Sequence, residues 1–156
     1  MPMRKLKEFL ENRHTRYVAI AHTPAYTAQE IAARAHIPGQ ELAKTVIIKV
    51  DGKMAMAVLP ANFKVDFDRL KQALATDNVE LAREEEFKYL FPECEIGAMP
   101  PFGNLFGMET YVAECLARNE HIAFNAGTHR ELFRLPYKEY EELIQPKIIN
   151  FTVQMH

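Results

Sequence analysis

The sequence predicts a mixed α+β fold in one domain. Segments with strand patterns outnumber those with helical patterns, and the two kinds do not alternate regularly. The 156 residues are 48% hydrophobic, and a chain of this size buries roughly 70% of its unfolded surface in a core. No Ser/Gly-rich linker, low-complexity tract or internal repeat divides the chain, so we expect residues 1–156 to form a single domain.

The first elements are predicted from apolar spacing and from a helix-start signal. Residues 3–13 have the pattern of an amphipathic helix, and Tyr17–Ala21 has that of a short strand. Thr27–Glu30 matches a capping box, in which a Thr and a Glu side chain each satisfy a main-chain N–H at the start of a helix. We therefore expect a helix over Ala28–Ala35, which ends before Pro38-Gly39.

The clearest strand is Leu42–Val50. Asp51-Gly52 predicts a two-residue hairpin turn, after which the chain returns as Lys53–Leu59. Because side chains alternate along a strand, Lys44 shares one face with the apolar even-numbered positions, and Thr45 lies on the other. A lysine at the end of an apolar face packs its stem on the rim of a core while its ammonium group reaches a cavity mouth.

The remaining elements are predicted from caps, proline stops and alternating apolar positions. Asp66 caps one helix, and Pro92 ends another that begins at Glu84. Pro136, as the first helical residue, opens the last helix, which ends before Pro146. Further strands are predicted over Val79–Ala82, Glu109–Ala113, His121–Asn125, Glu131–Leu135 and Ile148–Val153.

Charge and composition limit the partners. With 19 basic and 21 acidic residues the net charge is −2, which argues against a large nonspecific footprint on DNA or RNA but permits contact with the end of an RNA. The basic amino terminus precedes no apolar run, so neither a signal peptide nor a membrane span is expected. Cys94 and Cys115 form no local framework, which favours a reduced, cytoplasmic protein.

The motifs of several enzyme classes are missing. The six histidines form no His-x-x-x-His pair and the two cysteines no Cys-x-x-Cys pair, so we expect no metal and no cofactor. The sequence also lacks the Gly-x-Ser-x-Gly elbow of serine hydrolases and the Walker phosphate loop. Cys115 as a nucleophile would need a partner such as His121, and a buried structural thiol is the simpler interpretation.

The residues that remain are Lys44 and a loop of glycine and proline, Gly97–Pro101. Glycine lets main-chain N–H groups approach a ligand closely, and the paired prolines hold the following turn rigid. This Gly-x-x-x-Pro loop is therefore a candidate anion cradle made of main chain, to which Lys44 would bring positive charge. The alternative is a tight turn with Lys44 in solvent, and the residues alone leave both interpretations open.

Several motifs in order along the chain resemble the YbaK-like family, which also includes the editing domain associated with prolyl-tRNA synthetases. The resemblance runs from about Tyr17 to about Gln145. Its motifs are His22-Thr23-Pro24, Thr27-Ala28-Gln29-Glu30, Ala43-Lys44-Thr45, Ala57-Val58-Leu59-Pro60, Gly97 through Gly103, and Asn125-Ala126-Gly127. It implies a mixed, partly closed β-barrel surrounded by helices, with a pocket near Lys44, and a hydrolase that removes a wrongly attached small amino acid from the 3′ end of tRNA.

The resemblance also implies roles for individual residues. Lys44, Gly97 and Pro101 are the implied catalytic residues. Contacts to the substrate are implied for His22, Thr45, Ala98, Met99, Pro100, Phe102, Gly103, Asn125 and Gly127. From the residues alone, packing is favoured for Thr45 and a turn for His22, and His129 is expected in an exposed loop with a lesser claim to a substrate role.

One departure from the family keeps a second function open. Many relatives carry an aspartate in the strand after the glycine loop, where this chain has Ala113 followed by Glu114. Either Glu114 has taken over the role of that aspartate or the role is lost. The implied partner is aminoacyl-tRNA, with a synthetase as a further candidate. The alternative is a non-catalytic module that binds tRNA ends or an aminoacyl-tRNA synthetase, and a hydrolase of another small acyl ester is a remote third.

Overall fold

A computed structural model describes residues 4–23 and 28–154 and confirms the mixed α+β class. The helices are α1 (Arg4–Asn12), α2 (Ala28–Ala35), α3 (Phe67–Leu74), α4 (Glu84–Phe87), α5 (Glu114–Ala117) and α6 (Tyr137–Ile144). The strands are β1 (Val18–Ala21), β2 (Leu42–Val50), β3 (Lys53–Pro60), β4 (Phe63–Val65), β5 (Val79–Leu81), β6 (Glu109–Ala113), β7 (His121–Asn125), β8 (Glu131–Pro136), β9 (Lys147–Ile149) and β10 (Thr152–Gln154). The capping-box residue Thr27 lies outside the described residues.

One large mixed sheet organises the fold. Its strands follow the order β1-β8-β7-β2-β3-β6-β9, and β5 pairs with β2 beside this path. The β2–β7, β3–β6 and β6–β9 pairs are parallel and the others are antiparallel. Hydrogen bonds between the described residues do not join β1 to β9, so main-chain pairing leaves the sheet open.

The β2–β3 hairpin forms as predicted because its turn suits the backbone. Asp51 and Gly52 have φ angles of 50° and 82°, the left-handed pair that a two-residue hairpin requires. The register pairs Val50 with Lys53 and Lys44 with Leu59. Lys44 therefore sits near the far end of the longest ladder in the sheet.

Apolar side chains pack on both faces of the sheet. Along β2, the odd-numbered Ala43 and Ile47 belong to the largest core cluster, which includes Met99, Phe102 and Phe124. On the other face, Ile48 packs in a second cluster with the β3 residue Leu59. A third cluster joins α2 to the start of β2 and to β7 and β8, through Ile31, Ala32, Leu42, Ala123 and Leu132.

Three local expectations need correction, and two short elements were not predicted. The strand predicted over Ile148–Val153 is two strands, because β9 pairs with β6 whereas β10 leaves the large sheet and pairs with β4. The helix predicted over Glu84–Phe91 ends at Phe87 and continues as one 3-10 turn, Lys88–Leu90. Pro136 is the extended residue before α6 and not its first helical residue. The short α5 and β4 had no signal that we recognised in the sequence.

Candidate functional site

Lys44 projects from the beginning of β2 at a half-buried position. Its Nζ donates to the Ala61 carbonyl at 3.4 Å, and burial lowers the pKa of the ammonium group below its ordinary value. By alternation, its side chain shares a face with Leu42, which packs under α2. This is the core-rim position that the strand pattern predicted.

The parallel pairing of β2 with β7 places Lys44 beside the end of β7. Leu42 pairs with Ala123 and Ala43 with Phe124, so the next positions in register are Lys44 and Asn125. Asn125 is 7% exposed, and its Oδ1 has no hydrogen-bond partner among the described residues. A buried acceptor without a partner is rare in folded proteins, and it marks this position as one where a ligand donor fits.

The Gly97 loop, residues Gly97–Pro101, is bound to the chain that follows Asn125. Gly127 donates its N–H to the Ala98 carbonyl at 3.0 Å, and its own carbonyl accepts from the Glu95 N–H at 2.8 Å. The His129 ring nitrogen Nε2 hydrogen-bonds the Ile96 carbonyl at 2.7 Å. The end of β7 thus connects Asn125 and Gly127 to the loop, and Lys44 is the next position in register on the neighbouring strand.

His22 reaches the same region from β1. Its main-chain N–H donates to the Arg130 carbonyl at 2.9 Å, and its Nδ1 lies 2.8 Å from the Thr23 carbonyl. The other ring nitrogen, Nε2, is buried and has no partner among the described residues. His22 thus has one ring nitrogen engaged by the neighbouring main chain and one unused among the described residues.

Thr45 is placed differently from Lys44. Strand alternation puts its side chain on the opposite face, with Ala43 and Ile47 of the largest core cluster. Its Oγ1 is buried and unpartnered among the described residues. Met99 and Phe102 belong to that same cluster, so the apolar side of the Gly97 loop lies on the Thr45 face of the sheet and not on the Lys44 face.

The main-chain donors of the loop are few. Pro100 and Pro101 have no N–H, and the Ala98 N–H donates to the Glu95 carbonyl at 3.0 Å. The Gly97 N–H is directed at the Met99 sulfur, 3.3 Å away, and a thioether is a weak acceptor. The hydrogen bonds between described residues leave the Met99 N–H unused. Of the loop's main-chain donors, the N–H groups of Gly97 and Met99 are therefore the two that lack a strong acceptor among the described residues.

The loop ends in the core. Phe102 is fully buried and its N–H donates to the Pro100 carbonyl at 2.8 Å. The Gly103 N–H donates to Thr110 Oγ1 at 3.2 Å, and a Cβ at Gly103 would lie 2.3 Å from that oxygen. Phe102 and Gly103 therefore hold the loop in place, and neither is presented to a ligand in the way that the resemblance implied.

Glu95 and His129 were misjudged from the sequence. His129 is 7% exposed, which contradicts the expected exposed loop. Its ring packs against Gly97, and its main-chain N–H donates to Glu95 Oε2 at 3.2 Å. Glu95 was not singled out, because a glutamate before a glycine loop carries no recognisable signal. Tyr140, which was not singled out from the sequence, donates its hydroxyl to the Pro101 carbonyl at 2.6 Å.

The family aspartate has no substitute at the position following Ala113. Ala113 is fully buried in the second core cluster, and Glu114 begins α5 with an exposed side chain. Among the described residues, no three His, Cys, Asp or Glu side chains are grouped so as to hold a metal ion. None of the described helices is long and apolar enough to cross a membrane.

A surface cavity of about 600 Å³ lies between Thr15–Val18 and Arg134–Pro136. It is at the opposite end of β1 from His22 and contains none of the predicted site residues. It is therefore separate from the group around Lys44.

Comparison with known sequences identifies the region that holds this group. The sequence model of a family described as "Aminoacyl-tRNA editing domain" matches residues 22–143, which include His22, Lys44, the Gly97 loop and Asn125. The proline–tRNA ligase of Staphylococcus saprophyticus is 34% identical over 88 residues, 56% of this chain and 15% of the ligase. The Staphylococcus aureus enzyme is 38% identical over 74 residues, 47% of this chain and 12% of the ligase. The chain thus spans a small part of the length of these ligases.

Comparison with solved structures shows the fold. A hypothetical protein superposes with a TM-score of 0.85 at 21% identity, covering 96% of this chain and 100% of the other. A protein described as a proposed trans-editing enzyme for prolyl-tRNA synthetase superposes with a TM-score of 0.80 at 22% identity, covering 96% of each chain.

Proposed function

The chain belongs to the aminoacyl-tRNA editing domain family, and on that premise we propose that it hydrolyses the ester of mischarged aminoacyl-tRNA, acting in trans on a small amino acid attached to the 3′ end. The observation that carries the proposal is the family match across residues 22–143, which contains both Lys44 and the Gly97 loop. We propose direct attack by water without a metal, cofactor or protein nucleophile, as the resemblance implies; an ester between an amino acid and a ribose hydroxyl is already activated, so the demand on the enzyme is modest.

The Gly97 loop supplies electrostatic stabilisation in this mechanism. Attack by water on the acyl carbonyl creates an oxyanion, to which we assign the N–H groups of Gly97 and Met99 as donors. The Gly97 N–H exchanges the Met99 sulfur for this stronger acceptor. One donor in a preorganised oxyanion hole is worth about 2.7–4 kcal/mol of transition-state stabilisation, and the clamped loop provides such preorganisation.

Lys44 has a different task. Its ammonium group, half-buried beside Asn125, neutralises the terminal phosphate of the tRNA or holds the acyl carbonyl. Burial disfavours the charged form of Lys44 and so lowers its pKa, and the same reduced contact with water strengthens its attraction to an anion that binds beside it. The unpartnered acceptors Asn125 Oδ1 and His22 Nε2 then meet hydroxyl or ammonium donors of the aminoacyl-adenosine end.

The experiment that tests the proposal measures release of amino acids from charged tRNAs by the purified protein. We expect accelerated hydrolysis of small amino acids with overlapping preference, since one methylene in a pocket is worth only about 1–3 kcal/mol, and no hydrolysis of bulky aromatic ones. The Lys44→Ala protein is the control for a contaminating deacylase. Tight binding of uncharged tRNA without hydrolysis of any aminoacyl group would instead identify a binding module.

The partners and location follow from the activity. The substrate is the acylated 3′ end of tRNA, and a synthetase that produces the mischarged species is the candidate protein partner. Because the net charge is −2, we expect contact with fewer than about four phosphates and a shallow dependence of binding on salt. We propose the cytoplasm as its location, because charged tRNA is used there.

A further inference from the structure

We infer that Tyr140 is a positioning residue of the candidate site, whose buried hydroxyl fixes the Pro101 end of the Gly97 loop and thereby the donors of that loop. The hydroxyl lies 2.6 Å from the Pro101 carbonyl oxygen. Because a carbonyl only accepts, the tyrosine is the donor. The inference rests on the proposed function for its catalytic consequence, but its structural part is testable without a substrate.

The Pro101 carbonyl needs a donor from outside the loop. Neither proline has an N–H, and the Phe102 N–H is already used by the Pro100 carbonyl at 2.8 Å. Pro101 is buried, so water does not replace a missing partner at low cost. Tyr140 is fully buried on α6, and it supplies the donor from a helix far away in the sequence.

Tyr140 completes a pair of anchors around the loop. At the first end, His129 holds the Ile96 carbonyl at 2.7 Å and Gly127 holds Ala98 at 3.0 Å. At the second end, Tyr140 holds Pro101, and its ring packs edge-on against Phe102 with centroids 5.4 Å apart. The Gly97 and Met99 N–H groups lie between the two anchors.

The Tyr140 hydrogen bond of the second anchor is not lost by ionisation near neutral pH. Burial raises the pKa of Tyr140 well above its ordinary value, so the hydroxyl keeps its proton and remains a donor. The nearby Tyr137 hydroxyl donates to Glu141 on the same helix, and burial raises the pKa of Tyr137 as well. The Tyr137 hydroxyl is thus already used and does not compete with Tyr140 for the Pro101 carbonyl.

The test compares Tyr140→Phe with Tyr137→Phe. Both side chains are buried on α6, but the Tyr137 hydroxyl bonds within the helix and not to the loop. Each variant deletes one hydroxyl and keeps the ring. We expect Tyr140→Phe to lower kcat for a cleaved aminoacyl-tRNA by about 10- to 100-fold with KM within about twofold, because small misplacements of catalytic groups have effects of this size. Tyr137→Phe should keep the parental kcat.

A second readout does not depend on activity. Amide hydrogen exchange of Ala98 and Gly127, whose N–H groups are both hydrogen-bonded at the loop, should be at least about tenfold faster by NMR in Tyr140→Phe than in the parent or in Tyr137→Phe, because local opening governs the exchange of bonded amides. If the parent hydrolyses no aminoacyl-tRNA, the proposed function fails and the exchange rates alone decide the structural part. Unchanged exchange in Tyr140→Phe then overturns it.

Folding is checked so that each result is decisive. Kinetics are measured well below the melting temperature of each variant, where all of the protein is folded. If Tyr140→Phe is unfolded at the temperature at which the parent is assayed, the parent and both variants are compared at about 10 °C with trimethylamine N-oxide, which favours compact states. Parental kcat in folded Tyr140→Phe, or an equal loss in Tyr137→Phe, overturns the inference.

Discussion

Replacing Gly97 by alanine separates the strain of the loop from its catalytic role. Gly97 has φ +86°, a left-handed conformation that costs a residue with a Cβ about 1–2 kcal/mol. The added Cβ would lie 3.4 Å from His129 Cε1, which is ordinary contact, so strain and not collision dominates the effect of alanine. For a chain of 156 residues this corresponds to a fall in melting temperature of roughly 2–8 °C.

Gly52 provides the matched control. It has φ +82° in the β2–β3 turn, and a Cβ there meets nothing within 4 Å. Gly52→Ala should therefore lose as much stability as Gly97→Ala, without touching the site. Both are measured by thermal melting, and both are assayed at a temperature where each is folded.

Activity should distinguish the two glycines. We expect Gly97→Ala to lower kcat/KM for aminoacyl-tRNA by about 10- to 100-fold, because relief of the strain moves the Gly97 and Met99 donors. Gly52→Ala should stay within about twofold of the parent. Gly97→Val should be worse than alanine, since its extra methyl groups extend toward the His129 ring. A fully active Gly97→Val protein would refute the reasoning and leave the loop as a simple turn.

The remaining predictions concern three other positions. Lys44→Ala should abolish deacylation and leave the fold intact. Because burial lowers the Lys44 pKa, the unfolded chain binds more protons than the folded one in the alkaline range just below pH 10.5, so the free energy of unfolding of the parent should rise with pH there. Urea titrations of Lys44→Ala should lack this contribution. Gly103→Ala should destabilise strongly, by at least about 2 kcal/mol in urea unfolding, because its Cβ would lie 2.6 Å from the Met108 carbonyl; a parental midpoint would contradict this packing. The Lys49 ammonium 2.8 Å away, and then Arg83, lower the pKa of Glu86 to about 2, so its stabilising effect is present above 4.5 and lost as the pH falls toward 2. Glu86→Gln should therefore be less stable than the parent at pH 7 and equal to it near pH 2, and a constant difference would exclude this ion pair as the cause.

The hairpin and most helices were predictable because their signals are local. Asp51-Gly52 requires positive φ angles that the structure contains, and Asp66 accepts hydrogen bonds from the N–H groups of Asp68 and Arg69 as a helix cap should. The position of Lys44 on its strand face also followed from alternation alone. Its neighbour Asn125 did not, because parallel pairing of β2 with β7 is a long-range choice that no local pattern encodes.

The anchors of the Gly97 loop were not predictable for the same reason. Tyr140 has the spacing of a core residue on α6, and only the fold brings its hydroxyl to Pro101. His129 looked exposed because Gly127 and Thr128 are typical of surface turns, yet pairing with Glu95 buries it. Met99, expected as part of the cradle, occupies the Gly97 N–H with its own sulfur, a contact that spacing cannot indicate.

The most direct test of the account is hydrolysis of a panel of aminoacyl-tRNAs by the parent protein and by Lys44→Ala at equal concentration. We predict that the parent protein releases at least one small amino acid well above the spontaneous rate, rejects aromatic ones, and needs no added metal. Lys44→Ala, with an unchanged melting curve, should not exceed the spontaneous rate. No acceleration for any aminoacyl group, together with tight and steeply salt-dependent binding of uncharged tRNA, would contradict the account.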